Sequence, residues 1–345
     1  MFRSLAGYYL KKLEDADDPV GQAWALFNKN PYAPIRDLDG YGFLRADLLG
    51  KKLGFPNDAP ERIAALATFA LDEGCMSDGH TYLELEDFKR RIAKIDPGVS
   101  IKAAYLAAQD LGEPITYEKG RFYLAKYLSA EKKLAANFAD RLRYPVSPLL
   151  AGSDEVIEAE IDKASKKIGI ALDESQHAAV KGILKSKQSI HTITAGPGCG
   201  KTAIMEVVVS ILIGKKNIGF CAPTGKAAKV LSGRVSGLGA EASTIHGMLG
   251  VEGGVSGFVH NESNRLPFEL LVVDETSMVD LQLMYSVVAA VLDNAHIVFL
   301  GDTKQLPSVG PGSCLADILK LPFDHYQLTK THRNQGGIYN VIQLA

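Results

Sequence analysis

The 345-residue sequence lacks any uninterrupted apolar run near the ~20 residues that span a bilayer. Its first residues, MFRSLAGYYLKKLED, lack the order of a signal peptide. From these absences the expectation is a cytoplasmic protein. Cysteine is sparse. Cys75, Cys199, Cys221 and Cys314 stand apart with no CxxC or Cys/His spacing, which excludes a zinc finger and a disulfide framework and leaves reduced thiols. Excess charge of one sign is missing too: 38 Lys and Arg face 40 Asp and Glu, a formal net charge of −2. A surface coated in basic charge is therefore excluded, and any nucleic acid must be held in a local groove. Repeats and low-complexity tracts are absent as well.

What is present suits a soluble globular chain: 46% hydrophobic and 23% charged residues supply a substantial core, and the length suggests two or three domains. The character of the sequence changes at YPVSPLLAGSD (144–154), where two prolines and a glycine predict a boundary near residue 150. Before it, ERIAALATFALDEG and SIKAAYLAAQDLG carry apolar residues at helical spacing, so residues 1–150 read as mostly helical. After it, β-branched runs at 191–195, 218–222, 270–274 and 297–301 alternate with helical segments, which predicts an α/β fold with a parallel sheet covered on both faces. In such sheets ligands bind beyond the carboxyl ends of the strands. Each of the four runs is followed at that end by a chemically loaded segment.

The first is Gly196-Pro197-Gly198-Cys199-Gly200-Lys201-Thr202, with Ala203 opening an apolar helix. Glycines let backbone amides converge on phosphate, and the helix N-terminus that follows favours the same anion. Lys201 would reach the β- and γ-phosphates, and Thr202 would offer its hydroxyl to Mg2+. Ala195 stands where the strict pattern has glycine. A Gly/Pro turn that binds nothing would leave the Lys-Thr pair unexplained.

LLVVDE reads as an acidic strand end, with Asp274 directed to magnesium and Glu275 left to orient or deprotonate the attacking water. A surface Asp-Glu turn is the plain alternative. In GDTKQLPSVG, Gln305 lies past another apolar strand, where it would reach the γ-phosphate; a solvated loop glutamine is the plain alternative. The expected substrate is a nucleoside triphosphate, ATP or GTP, with Mg2+ as cofactor.

Together these segments resemble the RecD-like DNA helicases of superfamily 1, the branch that moves 5′ to 3′. The resemblance runs through LDESQHAAV (172–180 with Gln176), GPGCGKT, CAPTGKAAKVL, ASTIHGML, VVDETSMVD, GDTKQLPSVGPG and QLTKTHRN (327–334). It implies a RecA-like P-loop domain over 151–345, adenine contact by Gln176 and an arginine finger at Arg333. It also implies a single-stranded DNA path along Pro223, Thr224, Gly225, Lys226, Thr244 and His246. Judged by the residues alone, His246 reads as a structural histidine, and Arg333 is equally a surface salt bridge.

The glycine-rich segment 251–268, with Phe258-Val259 near its centre, resembles the pin that parts a duplex in this family; a plain surface loop is the alternative. Residues 30–55 and 79–85 resemble the longer family members. There, Leu38 to Ala46 fits a helix-hairpin-helix turn in which Gly40 and Gly42 expose amides to a DNA phosphate, or else a turn that only packs two helices. A winged-helix-like part is expected within 80–140. The partners implied are single-stranded DNA and single/double-strand junctions, and the setting DNA repair or recombination. The chain stops at VIQLA inside an apparent helix. The second RecA-like domain of the family is then missing, and the expectation is half a motor with weak ATP binding. A nucleotide-gated DNA-binding module without unwinding is the competing reading.

Overall fold

The computed structural model describes residues 7, 17–36, 38, 41–196, 198–251, 257–302, 304–305 and 307–330. Two compact units divide the chain between Ser129 and Ala130.

In the first unit, helices α1 (Pro19–Lys29), α2 (Phe43–Lys52) and α3 (Pro60–Asp78) precede strand β1 (Tyr82–Glu84). Helices α4 (Leu85–Ile95) and α5 (Ile101–Asp110) follow, and then a hairpin of β2 (Ile115–Glu118) and β3 (Arg121–Leu124). The hairpin turn uses Lys119 and Gly120 at φ 51° and 83°, the left-handed pair that matches strand twist. The strands form an antiparallel sheet in the order β1-β3-β2. The helical reading of this region missed that sheet, because strands of three or four residues carry too little periodicity. A buried ion network ties α2 to α3: Arg62 meets Asp47 at 2.6 Å and Asp96 at 2.7 Å, and Tyr32 Oη donates to Asp47 at 3.0 Å.

Helix α6 (Ala125–Arg143) spans the division, which therefore falls before the Pro/Gly stretch at 144–154. The reason is packing. Phe138 meets Phe323 edge-on at 5.8 Å, and Arg141 donates to the carbonyls of Val291, Leu292 and Ala295 at 3.2–3.3 Å. The second half of α6 thus belongs to the core of the second unit.

That unit continues through α7 (Asp154–Ile168), α8 (Glu174–Lys185), β4 (Ile190–Ala195), α9 (Lys201–Leu212), β5 (Ile218–Ala222) and α10 (Gly225–Val235). It then runs through β6 (Ala242–Thr244), α11 (Ile245–Leu249), β7 (Leu270–Val273), α12 (Leu281–Ala290), β8 (His296–Gly301), α13 (Cys314–Ile318) and β9 (Asp324–Leu328). Its six strands are all parallel in the order β6-β5-β7-β8-β4-β9. Along β7 and β8, Leu270, Val272, Val298 and Leu300 face one core with the apolar sides of α7, α8 and α9. The alternate residues Leu271, Val273, Ile297 and Phe299 are equally buried, so both faces are covered. The expected α/β fold with a parallel sheet is present, and the four predicted runs are β4, β5, β7 and β8. The short β6 and the polar β9 extend the sheet at its two edges.

No helix among the described residues is long and apolar enough to cross a membrane. The four cysteines are buried and none is joined in a disulfide.

Candidate nucleotide and DNA site

The strand order sets the site. Because β8 lies between β7 and β4, the loops leaving these three strands stand side by side at one edge of the sheet. They line one cavity of about 430 Å³, formed by Gly196, Gly198, Cys199, Gly200, Lys201, Thr202, Ala203, Val230, Arg234, Asp274, Glu275 and Gln305. Pro197 lies outside the described residues.

In the phosphate loop, Gly198 and Gly200 both adopt φ 81°, where a side chain would be strained. Gly200 is doubly required, since a Cβ there would lie 2.3 Å from Gln176 Nε2. Lys201 opens α9, and its Nζ donates to the Ala195 carbonyl at 2.8 Å. The apolar character of α9 seats it firmly: Ile204, Met205, Val207, Val208, Val209, Ile211 and Leu212 are buried.

Gln176 is only 2% exposed. Its Oε1 accepts from the Asp173 amide at 3.0 Å, completing a capping box at the start of α8, and its Nε2 donates to the Cys199 carbonyl at 3.0 Å. The side chain expected at adenine therefore braces the phosphate loop.

The acidic pair ends β7. Asp274 Oδ1 accepts from the Glu275 amide at 2.8 Å. Burial pushes the Asp274 carboxyl above its usual range, against that hydrogen bond and the charges of Lys201 and Arg234. Glu275 is raised by burial first, and then by Asp274. Its backbone stands at φ 50°, ψ 41°, an uncommon conformation for a residue with a side chain and one that gathers at functional sites. Its buried Oε2 meets no hydrogen-bond partner among the described residues. Beside it, Asp302 is 5% exposed, accepts from the Lys304 amide at 2.9 Å through Oδ1, and accepts from the Gln305 amide at 3.1 Å through its carbonyl. The turn that aims Gln305 is thus built by Asp302, which the motif reading left aside. Arg234, on α10, was missed as well; it lies beyond the motif that opens that helix.

Farther along the edge, β5 and β6 pair with Ala222 opposite Thr244. Thr224 caps α10, its Oγ1 accepting from the Ala227 amide at 3.2 Å, and Thr244 caps α11, accepting from Gly247 at 3.0 Å. Pro223 is half-buried, while Gly225, Lys226 and His246 are exposed. The His246 ring meets Phe258 edge-on at 5.6 Å. Val251 bridges Phe258 in antiparallel fashion, and Asn261 ties the segment together by donating to the Phe258 carbonyl at 3.0 Å. Residues 252–256 lie outside the described residues, as do Gly40 and Arg333. Gly42 caps α2 in extended backbone with open space around its Cα, so nothing local requires glycine there.

Among the described residues no group of three His, Cys, Asp or Glu can hold a metal ion. Thr202 and Asp274, lining one cavity, are the pair that suits magnesium, a cation that takes few protein oxygens alongside phosphate and water.

Comparisons with known proteins agree with this layout. A family model described as AAA domain matches residues 176–311, and one described as ATP-dependent RecD2 DNA helicase HHH domain matches residues 20–82. The ATP-dependent RecD2 DNA helicase of Deinococcus radiodurans is 34% identical over 328 residues, covering 90% of this chain and 43% of that protein. The RecBCD enzyme subunit RecD of Mycobacterium tuberculosis is 32% identical over 241 residues, covering 63% of this chain and 39% of that protein. A solved structure of Bacteroides sp Pif1 in complex with ADP-AlF4 is 22% identical over 51% of this chain and 45% of that chain, with a TM-score of 0.37. The chain spans less than half the length of the curated relatives named here. With a helix-hairpin-helix region matched ahead of the α/β unit and a curated relative aligned over 90% of this chain, the chain is RecD-like, with an N-terminal helix-hairpin-helix region.

Proposed function

We propose that the cavity at the carboxyl edge of the sheet binds Mg·ATP, and that a protein carrying this chain couples ATP hydrolysis to movement on single-stranded DNA. The observation that carries the reading is the convergence of Lys201, Thr202, Asp274, Glu275 and Gln305 on one cavity from three neighbouring strands. Amides of Gly196 and of Gly198 to Ala203 and the Lys201 ammonium would hold the phosphates, while Pro197 in the same loop has no N–H to donate. The hydroxyl of Thr202 and the carboxylate of Asp274 would hold Mg2+, which supplies positive charge against phosphate oxygens. Glu275, strained and with an unpartnered oxygen, suits the general base, and Gln305 suits a contact to the γ-phosphate. The second Nε2 hydrogen of Gln176 remains for adenine, and Arg333 is proposed as the arginine finger.

The strand ends next to this cavity form the proposed DNA path. Thr224 lies just past β5 and Thr244 ends its paired neighbour β6, with exposed Lys226 and His246 beside them, and Pro223 and Gly225 complete the turn. Hydroxyl, ammonium and backbone groups of this kind hold phosphates without reading sequence. Phe258, seated against His246, supports the reading of 250–267 as a pin. Ahead of the motor, Gly40 and Gly42 are proposed to meet DNA phosphate, and the order α3-β1-α4-α5-β2-β3 supports the winged-helix-like reading.

The finer proposal is 5′-to-3′ travel and strand separation at single/double-strand junctions, in DNA repair or recombination within the cytoplasm. It also includes a motor half over 151–345 that needs a second RecA-like domain for full turnover. Strand displacement on 5′- and 3′-tailed duplexes tests it, with a protein that carries this chain at the length of its relatives. Displacement of the 5′-tailed duplex with ATP, lost in Glu275→Gln, is expected. DNA binding without ATP-dependent displacement would favour a nucleotide-gated binding module, and preference for the 3′ tail would overturn the polarity.

A further inference from the structure

Arg234 belongs to none of the segments that carry the phosphate loop, the acidic pair or the DNA path, yet it lines the same cavity as Thr202, Ala203, Asp274 and Glu275. The topology explains how. Strand β5, which feeds α10, pairs directly with β7, which ends in Asp274. Gln176 reaches the loop from the other flank, because α8 packs against β9, where Tyr326 lies too close to Gly182 to leave room for a side chain. Arg234 therefore enters on the side where the magnesium-binding pair and the general base stand. Its acidic neighbour is Glu206 of α9, four residues beyond Thr202 and so on the same helical face. The approach of Arg234 Nη1 to Glu206 Oε1 is 3.7 Å, too long for a hydrogen bond, and the arginine side chain is 45% exposed. Glu206 thus keeps the guanidinium near the cavity without occupying its donors in full.

The local chemistry needs such a cation. Asp274 and Glu275 place two carboxylates beside the expected terminal phosphate, and besides the expected Mg2+, Lys201 is the cation that stands against them on the loop side among the described lining residues. A planar guanidinium suits phosphate oxygens better than an ammonium, because its forked donors can engage two at once. We propose that Arg234 binds the terminal phosphate of the nucleotide, giving this α/β unit its own cation that separates a nucleoside triphosphate from a diphosphate. The proposal rests on the nucleotide reading above and adds to it a residue in cis, distinct from the arginine finger.

Calorimetric titration of the purified chain with Mg2+ and either adenylyl imidodiphosphate or ADP tests it. Arg234→Ala should weaken the triphosphate analogue about 10-fold or more, the loss of one charge-assisted contact, and leave ADP within about twofold. Arg234→Lys should fall between the wild type and Arg234→Ala. Retained ADP affinity also certifies that each variant is folded; if Arg234→Ala does not fold, Arg234→Lys carries the comparison. Unchanged affinity for the triphosphate, or equal loss for both nucleotides, overturns the assignment. Binding by the wild type that depends on Lys201 keeps the nucleotide reading intact in either case, whereas a wild type that binds neither nucleotide removes both.

Discussion

Gln176 and Cys199 are joined across 23 positions of sequence by a hydrogen bond from the Gln176 Nε2 to the Cys199 carbonyl at 3.0 Å. One buried amide thereby closes the capping box of α8 and fixes the crest of the phosphate loop. Gln176→Glu keeps the acceptor for the Asp173 amide but loses the donor to Cys199. It should weaken ATP binding with a modest loss of stability, whereas Gln176→Ala should lose both, at a cost of about 1–2 kcal/mol. Thermal melts and nucleotide titrations of the two variants separate the roles; equal affinity in Gln176→Glu and the wild type would remove the bracing role.

Gly200→Ala meets two obstacles, a left-handed backbone at φ 81° and a contact of 2.3 Å with Gln176. It should reduce ATP affinity at least about 10-fold, because the amides can no longer converge on phosphate. Gly233→Ala, where a Cβ meets nothing within 4 Å, is the matched control and should bind ATP like the wild type. Equal binding by both variants would show that the loop tolerates the strain.

Burial and Asp274 raise the Glu275 carboxyl, and burial raises Asp274 itself. A raised acid holds its proton more tightly in the folded chain than in the unfolded one. Folded protein therefore binds more protons between the ordinary carboxylate range and the raised value, and stability falls as pH rises through that window. Glu275→Gln cannot ionise. It should melt higher than the wild type at neutral pH, by roughly 2–4 °C for each kcal/mol relieved, and the gain should disappear near pH ~4. A gain independent of pH would point to packing instead of charge.

Arg141 holds the chain after α12 through the carbonyls of Val291, Leu292 and Ala295, and burial pushes its guanidinium down to about 10. Arg141→Ala leaves buried carbonyls unmet and should cost about 3 kcal/mol or more. Arg141→Lys should recover little, since a single ammonium cannot reproduce the fork. Urea melts check this; near-wild-type stability in Arg141→Ala would contradict the packing of α6 described above.

The sequence foretold most where burial is continuous. Runs such as LLVV and IVFL, buried on both faces, could be placed as β7 and β8 almost to the residue, and the loaded loops then followed from their ends. It foretold least where structure is decided by distant partners. Three-residue β6 has no pattern of its own, and alternation in DHYQL is obscured by the polar edge it occupies. The unit division inside α6 depends on Phe138 and Arg141 finding Phe323 and the 291–295 carbonyls. Arg234 carries no local signal either, because only the pairing of β5 with β7 brings its helix to the cavity.

The central claim is a nucleotide site formed around Lys201. Calorimetric titration of the chain with Mg·ATP, for the wild type and Lys201→Ala, tests it most directly. Saturable binding with one site per chain is expected, weakened at least about 100-fold in Lys201→Ala, with a change in stability before nucleotide is added of no more than about 1 kcal/mol, the loss of the hydrogen bond to Ala195. No binding by the wild type, or equal binding by both proteins, would contradict the account.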